Sequence, residues 1–184
     1  MTTNTFQSLY VNNLRDLYSA ENQLVKALPR MVKNAGSEEL SEAFTNHLEQ
    51  TKNHVMRLEE VFRRLGEAPK GQKCVGMEGI IKEGADVIDE FEGEVLNAGL
   101  ISAAQRVEHY EIAAYGTVCA MAGVLGRSED LGILKETLEE EKQTDEKLTE
   151  LSESINAAAN EKSTSESSYA GKISGRTPKK KAAA

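Results

Sequence analysis

Tryptophan is absent from this 184-residue sequence, proline occurs three times, cysteine twice, and aromatic residues make up 5% of the total. Scarce proline leaves room for long uninterrupted helices, and no run of β-branched residues is long enough to build a sheet. With Leu, Ala, Glu and Lys common, the expected class is all-α. Long hydrophobic runs are missing too: nothing approaches the roughly 18 consecutive apolar residues of a membrane span. The N-terminal MTTNTFQSLYVN also lacks a basic segment followed by an apolar one. These absences predict a soluble protein with no membrane partner. Cys74 and Cys119 lie in different segments without metal-type spacing, so no disulfide framework is expected, and a reducing cytoplasm fits.

What is present is acid. The net charge is −8, yet residues 171–184 carry five Lys or Arg and no acid, leaving 17 basic against 30 acidic residues and a net of −13 in the remainder. An acidic body attracts cations and repels nucleic acid, so metal ions are its expected partners. Weak nucleic-acid contact is left to the basic tail.

Apolar periodicity divides the chain into four long helices. Phe6, Tyr10, Leu14, Leu17, Leu24 and Leu28 recur at spacings of three and four, predicting a helix over 6–34 with Pro29 near its end. Gly36 is expected in a left-handed stop and Ser37 as the cap of a second helix that carries Leu40, Phe44, Leu58, Phe62 and Leu65 and ends near Gly66. A crossover over about 67–97 holds one short amphipathic helix around Met77–Phe91. The third long helix, about 96–125, shows Ile101, Ala104, Tyr115, Val118 and Ala122. The fourth, from Ser128 to about Ile155, shows Leu134, Leu138, Leu148, Leu151 and Ile155. This predicts one antiparallel four-helix bundle over 1–156, with the long crossover needed where the second and third helices run parallel. Residues 157–184 lose periodicity and are expected to be a disordered basic tail.

Polar residues interrupt each apolar stripe. Glu21 fills the gap between Leu17 and Leu24. His47, Thr51 and His54 run from Phe44 to Leu58, with Gln50 one turn from both histidines. Glu108 and Glu111 precede Tyr115, and Glu141 and Asp145 lie between Leu138 and Leu148. Alone, each is what a boundary residue looks like. Together they fall at matched heights: counting from the tight turns puts Glu21 beside Thr51 and Glu111 beside Asp145. Buried unpaired carboxylates cost several kcal/mol each, and a shared cation relieves them all. The candidate ligands are Glu21, Gln50, His54, Glu108, Glu111, Glu141 and Asp145, with His47 or Glu49 as alternatives to Gln50. Such an oxygen-rich cage suits two divalent ions, iron first and manganese second.

Over residues 5–155 the sequence resembles the YciE/YciF branch of the ferritin-like superfamily. The resemblance is carried by DLYSAE (16–21), HLEQT (47–51), CVGMEG (74–79), VEHYEIAAYGT (107–117) and LEEEKQTDEKLT (138–149). It implies a dimerising four-helix bundle, a dinuclear metal centre, a bacterial stress setting and ferroxidase-type chemistry with dioxygen or peroxide. The superfamily supplies one Glu from the first helix, Glu-x-x-His from the second and fourth, and one or two Glu from the third. Glu21, Glu108 and Glu111 match. Glu49-x-x-Lys52 lacks the histidine and points away from Thr51, while Glu141 is followed by Thr144 and Asp145. The alternatives to an oxidase are a manganese-type peroxide scavenger and a non-catalytic metal-binding or structural stress protein.

Overall fold

The computed structural model describes residues 4–70 and 72–174, with side chains described through Lys162. The described residues form five helices: α1 (Phe6–Asn34), α2 (Glu38–Leu65), α3 (Val75–Glu90), α4 (Gly93–Val124) and α5 (Ser128–Ser174). Capping sets their starts. Thr5 accepts from the Ser8 amide while Ser8 reciprocates to the Thr5 amide, and Ser37 accepts from the Leu40 amide ahead of Glu38 and Glu39. Pro29 lies inside α1, which continues to Asn34.

Two turn details have separate causes. Gly66 closes α2 in the left-handed region at φ 67°. Gly36, expected to do the same for α1, has no positive φ; Ala35 in an extended conformation is the cap. Close approach is what Gly36 accommodates, because its amide donates to Asn97 Oδ1 at 2.7 Å and a Cβ there would lie 2.9 Å from Asn97 Nδ2.

The helices α1 and α2 form one antiparallel pair, and α4 and α5 the other. One apolar cluster fills one end of the bundle with Tyr10, Leu14, Leu17, Leu58, Phe62, Tyr115, Val118 and Leu134. Another fills the opposite end with Leu40, Phe44, Leu100, Ile101, Leu148 and Leu151. Each fully buried side chain of this kind contributes roughly 1.5–3 kcal/mol. The crossover helix α3 packs over α1 and α4, burying Cys74 and Met77 in a third cluster with Leu24, Leu28 and Val107.

The fourth long helix continues to Ser174, beyond the expected end near Ile155, and Ala159 is still buried. Losing an apolar stripe removes packing but not intrinsic preference, and Ala157-Ala-Ala is the strongest helix-forming run available. Residues 175–184, the last part of the expected tail with four of the five Lys and Arg of 171–184, lie outside the described residues. Among the described residues no helix is long and apolar enough to cross a membrane.

Candidate metal centre

Between the two end clusters lies one polar layer. Glu21 on α1, His47, Thr51 and His54 on α2, Glu108 and Glu111 on α4, and Glu141 on α5 are all buried, at 3% exposure or less. Their side chains form two overlapping groups. Ligand atoms of His47, Glu108, Glu111 and Glu141 lie within 4.8 Å of one another, and so do those of Glu21, His54 and Glu141. Glu141 belongs to both.

His54 is held from both ring nitrogens. Nδ1 faces inward, 3.0 Å from Glu141 Oε1 and 3.5 Å from Glu21 Oε1, while Nε2 lies 2.8 Å from Glu140 Oε2. Arg57 clamps Glu140 through Nη1 at 2.5 Å and Nη2 at 2.9 Å. A carboxylate behind an imidazole fixes its orientation and raises its basicity toward a metal. Tyr115 does a comparable job for Glu21, its hydroxyl donating to Oε1 at 2.5 Å. Thr51 instead donates to the His47 carbonyl, relieving its own burial within α2.

The electrostatics follow from burial. Desolvation, reinforced by the neighbouring acids, holds Glu108 and Glu111 well above the usual carboxylate range. Glu21 is also raised by burial, against the opposing pull of His54. Burial would depress His54, but its contacts with Glu141 and Glu21 outweigh that and carry it to about 10. The same contact reverses the effect of burial on Glu141, which is lowered. Desolvation lowers His47, keeping its imidazole neutral and its lone pair free. Burial, then Glu21, hold the Tyr115 phenol well up, so it stays a donor.

Satisfaction of these groups gives the test of fit for a metal. Among the described residues, eleven buried side-chain polar atoms make no well-aligned hydrogen bond, although His54 Nδ1 lies 3.0 Å from Glu141 Oε1 and His47 Nε2 3.3 Å from Glu108 Oε1 as imidazole–carboxylate contacts. Ten of them belong to Glu21, His47, His54, Glu108, Glu111 and Glu141. Native interiors leave few such atoms, so their concentration in one layer points to a cation. A set of four carboxylates and two imidazoles suits first-row divalent ions.

Five residues singled out from sequence, Glu21, His54, Glu108, Glu111 and Glu141, are gathered here, together with the alternative His47. Asp145 falls outside both groups, and Gln50 lies beside them. Gln50 accepts from Thr144 Oγ1 at 3.4 Å and lines a surface groove beside His47 and Glu108. Asp145 is turned toward α4, near Gln105 at 3.4 Å and His109 at 3.4 Å, and is partly exposed. Glu49 is exposed and pairs with Lys52. Glu140 and Arg57 were not legible as site residues in the sequence: Arg57 stands one turn after His54, and Glu140 directly precedes Glu141. A further cluster was not legible there either. Tyr110 donates to Asp16 Oδ2 at 2.6 Å, and the Cys74 thiol reaches the same oxygen at 3.1 Å, tying the start of α3 to α1 and α4.

Residues 5–161 match the family described as a domain of unknown function, DUF892. The chain is 46% identical to Protein YciF of Escherichia coli K12 over 153 residues, covering 82% of this chain and 92% of that protein. It is similar to the crystal structure of the E. coli stress protein YciF, with a TM-score of 0.81, 45% identity and coverage of 84% and 98%. A second solved structure, YcfI of Rhodopseudomonas palustris, provisionally described as a structural protein, gives a TM-score of 0.77 at 42% identity, covering 79% of this chain and 93% of that one.

Proposed function

The chain belongs to the DUF892 family, which includes YciF-like stress proteins, and on that premise we propose that it is a dinuclear metal-binding protein of ferroxidase type, acting in a bacterial stress response. The observation that carries this reading is the layer of buried ligand atoms, most without a well-aligned hydrogen bond, divided into two groups that share Glu141. Charge supports it: Glu21, Glu108, Glu111 and Glu141 together supply four negative charges, the complement of two divalent ions. Iron(II) held at both positions would supply two electrons, which with two protons suffice to reduce dioxygen to hydrogen peroxide.

The protein's part is binding, orientation and proton management. Glu21 and His54 hold one position, with Tyr115 and the Glu140–Arg57 pair fixing their orientation. His47, Glu108 and Glu111 would hold the other, with Glu141 within reach of both. Before metal enters, the proton on His54 and protons on Glu108 and Glu111 offset the buried charge, and they leave as the cations arrive. A groove of 490 Å³ between α2 and α5 reaches His47 and Glu108 from the surface, lined on its way by Glu39, Glu42 and Gln50. Its acidic rim favours entry of cations.

Anaerobic titration followed by metal analysis tests the reading. The expected stoichiometry is two iron(II) or manganese(II) ions per chain, and admitting oxygen should then consume dioxygen with iron loaded. A stoichiometry well below one rejects the site. Full loading without oxygen consumption favours the non-catalytic metal-binding alternative, and peroxide breakdown by the manganese-loaded protein favours the scavenger.

A further inference from the structure

Besides the polar groove, a second cavity reaches the candidate centre. It lies beneath α3, between α1 and α4, with a volume of 140 Å³. Leu28, Ile80, Ile81, Ile88 and Val107 supply its walls, and its inner end is closed by His47 and Glu108. The exposed Lys26 and Arg30 stand at its outer rim, where Arg30 pairs with Asp89 across from α1 to α3. The two cavities therefore converge on one edge of the buried layer from opposite sides, and they differ in chemistry.

That difference selects what each can pass. A hydrated cation entering the apolar chamber sheds its water with nothing to replace it, and water itself needs two to four polar partners to be held in a cavity. A nonpolar molecule incurs neither cost. Dry apolar cavities of about 150 Å³ in other proteins take up xenon and benzene. We propose that the chamber beneath α3 binds a nonpolar molecule of the size of dioxygen and delivers it to the His47–Glu108 edge, leaving the acidic groove to cations. Binding of a nonpolar gas is independent of the oxidase reading; its identity as dioxygen rests on that reading.

Xenon titration of the metal-free, full-length, ¹³C-methyl-labelled protein, followed by NMR, tests the binding. The methyl resonances of Leu28, Ile80, Ile81 and Val107 should shift saturably, and the shifts should vanish in Ala85→Leu, which fills the chamber from α3. Ala27→Leu fills it from α1 and serves if the first variant does not fold. Absence of saturable shifts in the wild type, or equal shifts in a folded plugged variant, overturns the proposal. The second arm compares oxidants in iron-loaded protein. Plugging should slow iron(II) oxidation by dioxygen several-fold and leave anaerobic oxidation by hydrogen peroxide, a polar molecule, at its wild-type rate. Equal slowing with both oxidants overturns delivery through the chamber. Xenon binding in a wild type that oxidises no iron supports the chamber and rejects the oxidase reading instead.

Discussion

Both carboxylate oxygens of Glu111 are buried without a partner, within reach of His47, Glu108 and Glu141. Glu111→Ala should therefore weaken divalent-metal affinity at least tenfold, about 1.4 kcal/mol, as read by calorimetric titration with manganese(II). The same change removes one acid from a repelling cluster, so the metal-free variant should melt no lower than metal-free wild type. Glu49→Ala is the control, because Glu49 is exposed and pairs with its neighbour Lys52. Loss of binding in Glu49→Ala with retention in Glu111→Ala would reverse the inward register of both helices. At this scale the sequence made Glu21, His54, Glu108, Glu111 and Glu141 legible because each interrupts an otherwise apolar stripe. Counting from a turn fixes height along the bundle and not rotation about the helix. At 100° per residue Gln50 stands about 60° round α2 from His47, and Asp145 about 40° round α5 from Glu141. Those offsets turn them toward the groove and toward α4. Glu140 was hidden for the opposite reason: it lies off the stripe, and only the pairing with Arg57 and His54 gives it a role.

The crossover helix depends on close approach to α4. A Cβ on Gly99 would lie 2.6 Å from Val87 Cγ1, and valine in a helix has one strongly preferred rotamer with which to retreat. Gly99→Ala gains up to about 1 kcal/mol of helix preference, but overpacking costs about 1–3 kcal/mol. The substitution should be neutral to destabilising in the wild type and stabilising when made in a Val87→Ala background. Urea denaturation of the four members of this cycle measures it. Equal effects in both backgrounds would mean that α3 does not pack this closely. Helix positions were readable from periodicity, with α1 matching its expected span and α2, α3 and α4 starting or ending within a few residues of theirs. Two element-level features were not. The role of Gly36 comes from Asn97, 61 residues away, and no local pattern encodes that contact. The extension of α5 past Ile155 rests on alanine preference, which a search for apolar stripes does not register.

At the scale of the whole molecule, the proposed function has protons and metal ions competing for one buried layer, and stability should register that competition. Folded Glu21, Glu108 and Glu111 hold a proton more tightly than the unfolded chain, their values being raised from 4.5. A raised value contributes stability that is complete below the unfolded pKa and lost as pH rises through the folded one. His54 acts with the same sign, its contribution fading between 6.5 and about 10. Glu141, lowered from 4.5, acts oppositely, but its contribution is already complete above that value and adds no slope at neutral pH. The metal-free protein should therefore melt at progressively lower temperature as pH rises from 6.5 toward 10. With divalent ions present the sign should change, because deprotonated ligands bind metal more tightly and ligand binding stabilises the folded state. The gap in melting temperature between metal-loaded and metal-free protein should widen across the lower part of that range. Scanning calorimetry at several pH values, with manganese(II) and with a chelator, measures both slopes. A metal-free melting temperature that climbs with pH would show that the layer does not hold protons in place of metal. A gap that stays constant would mean that metal and protons do not compete for the same carboxylates and imidazoles.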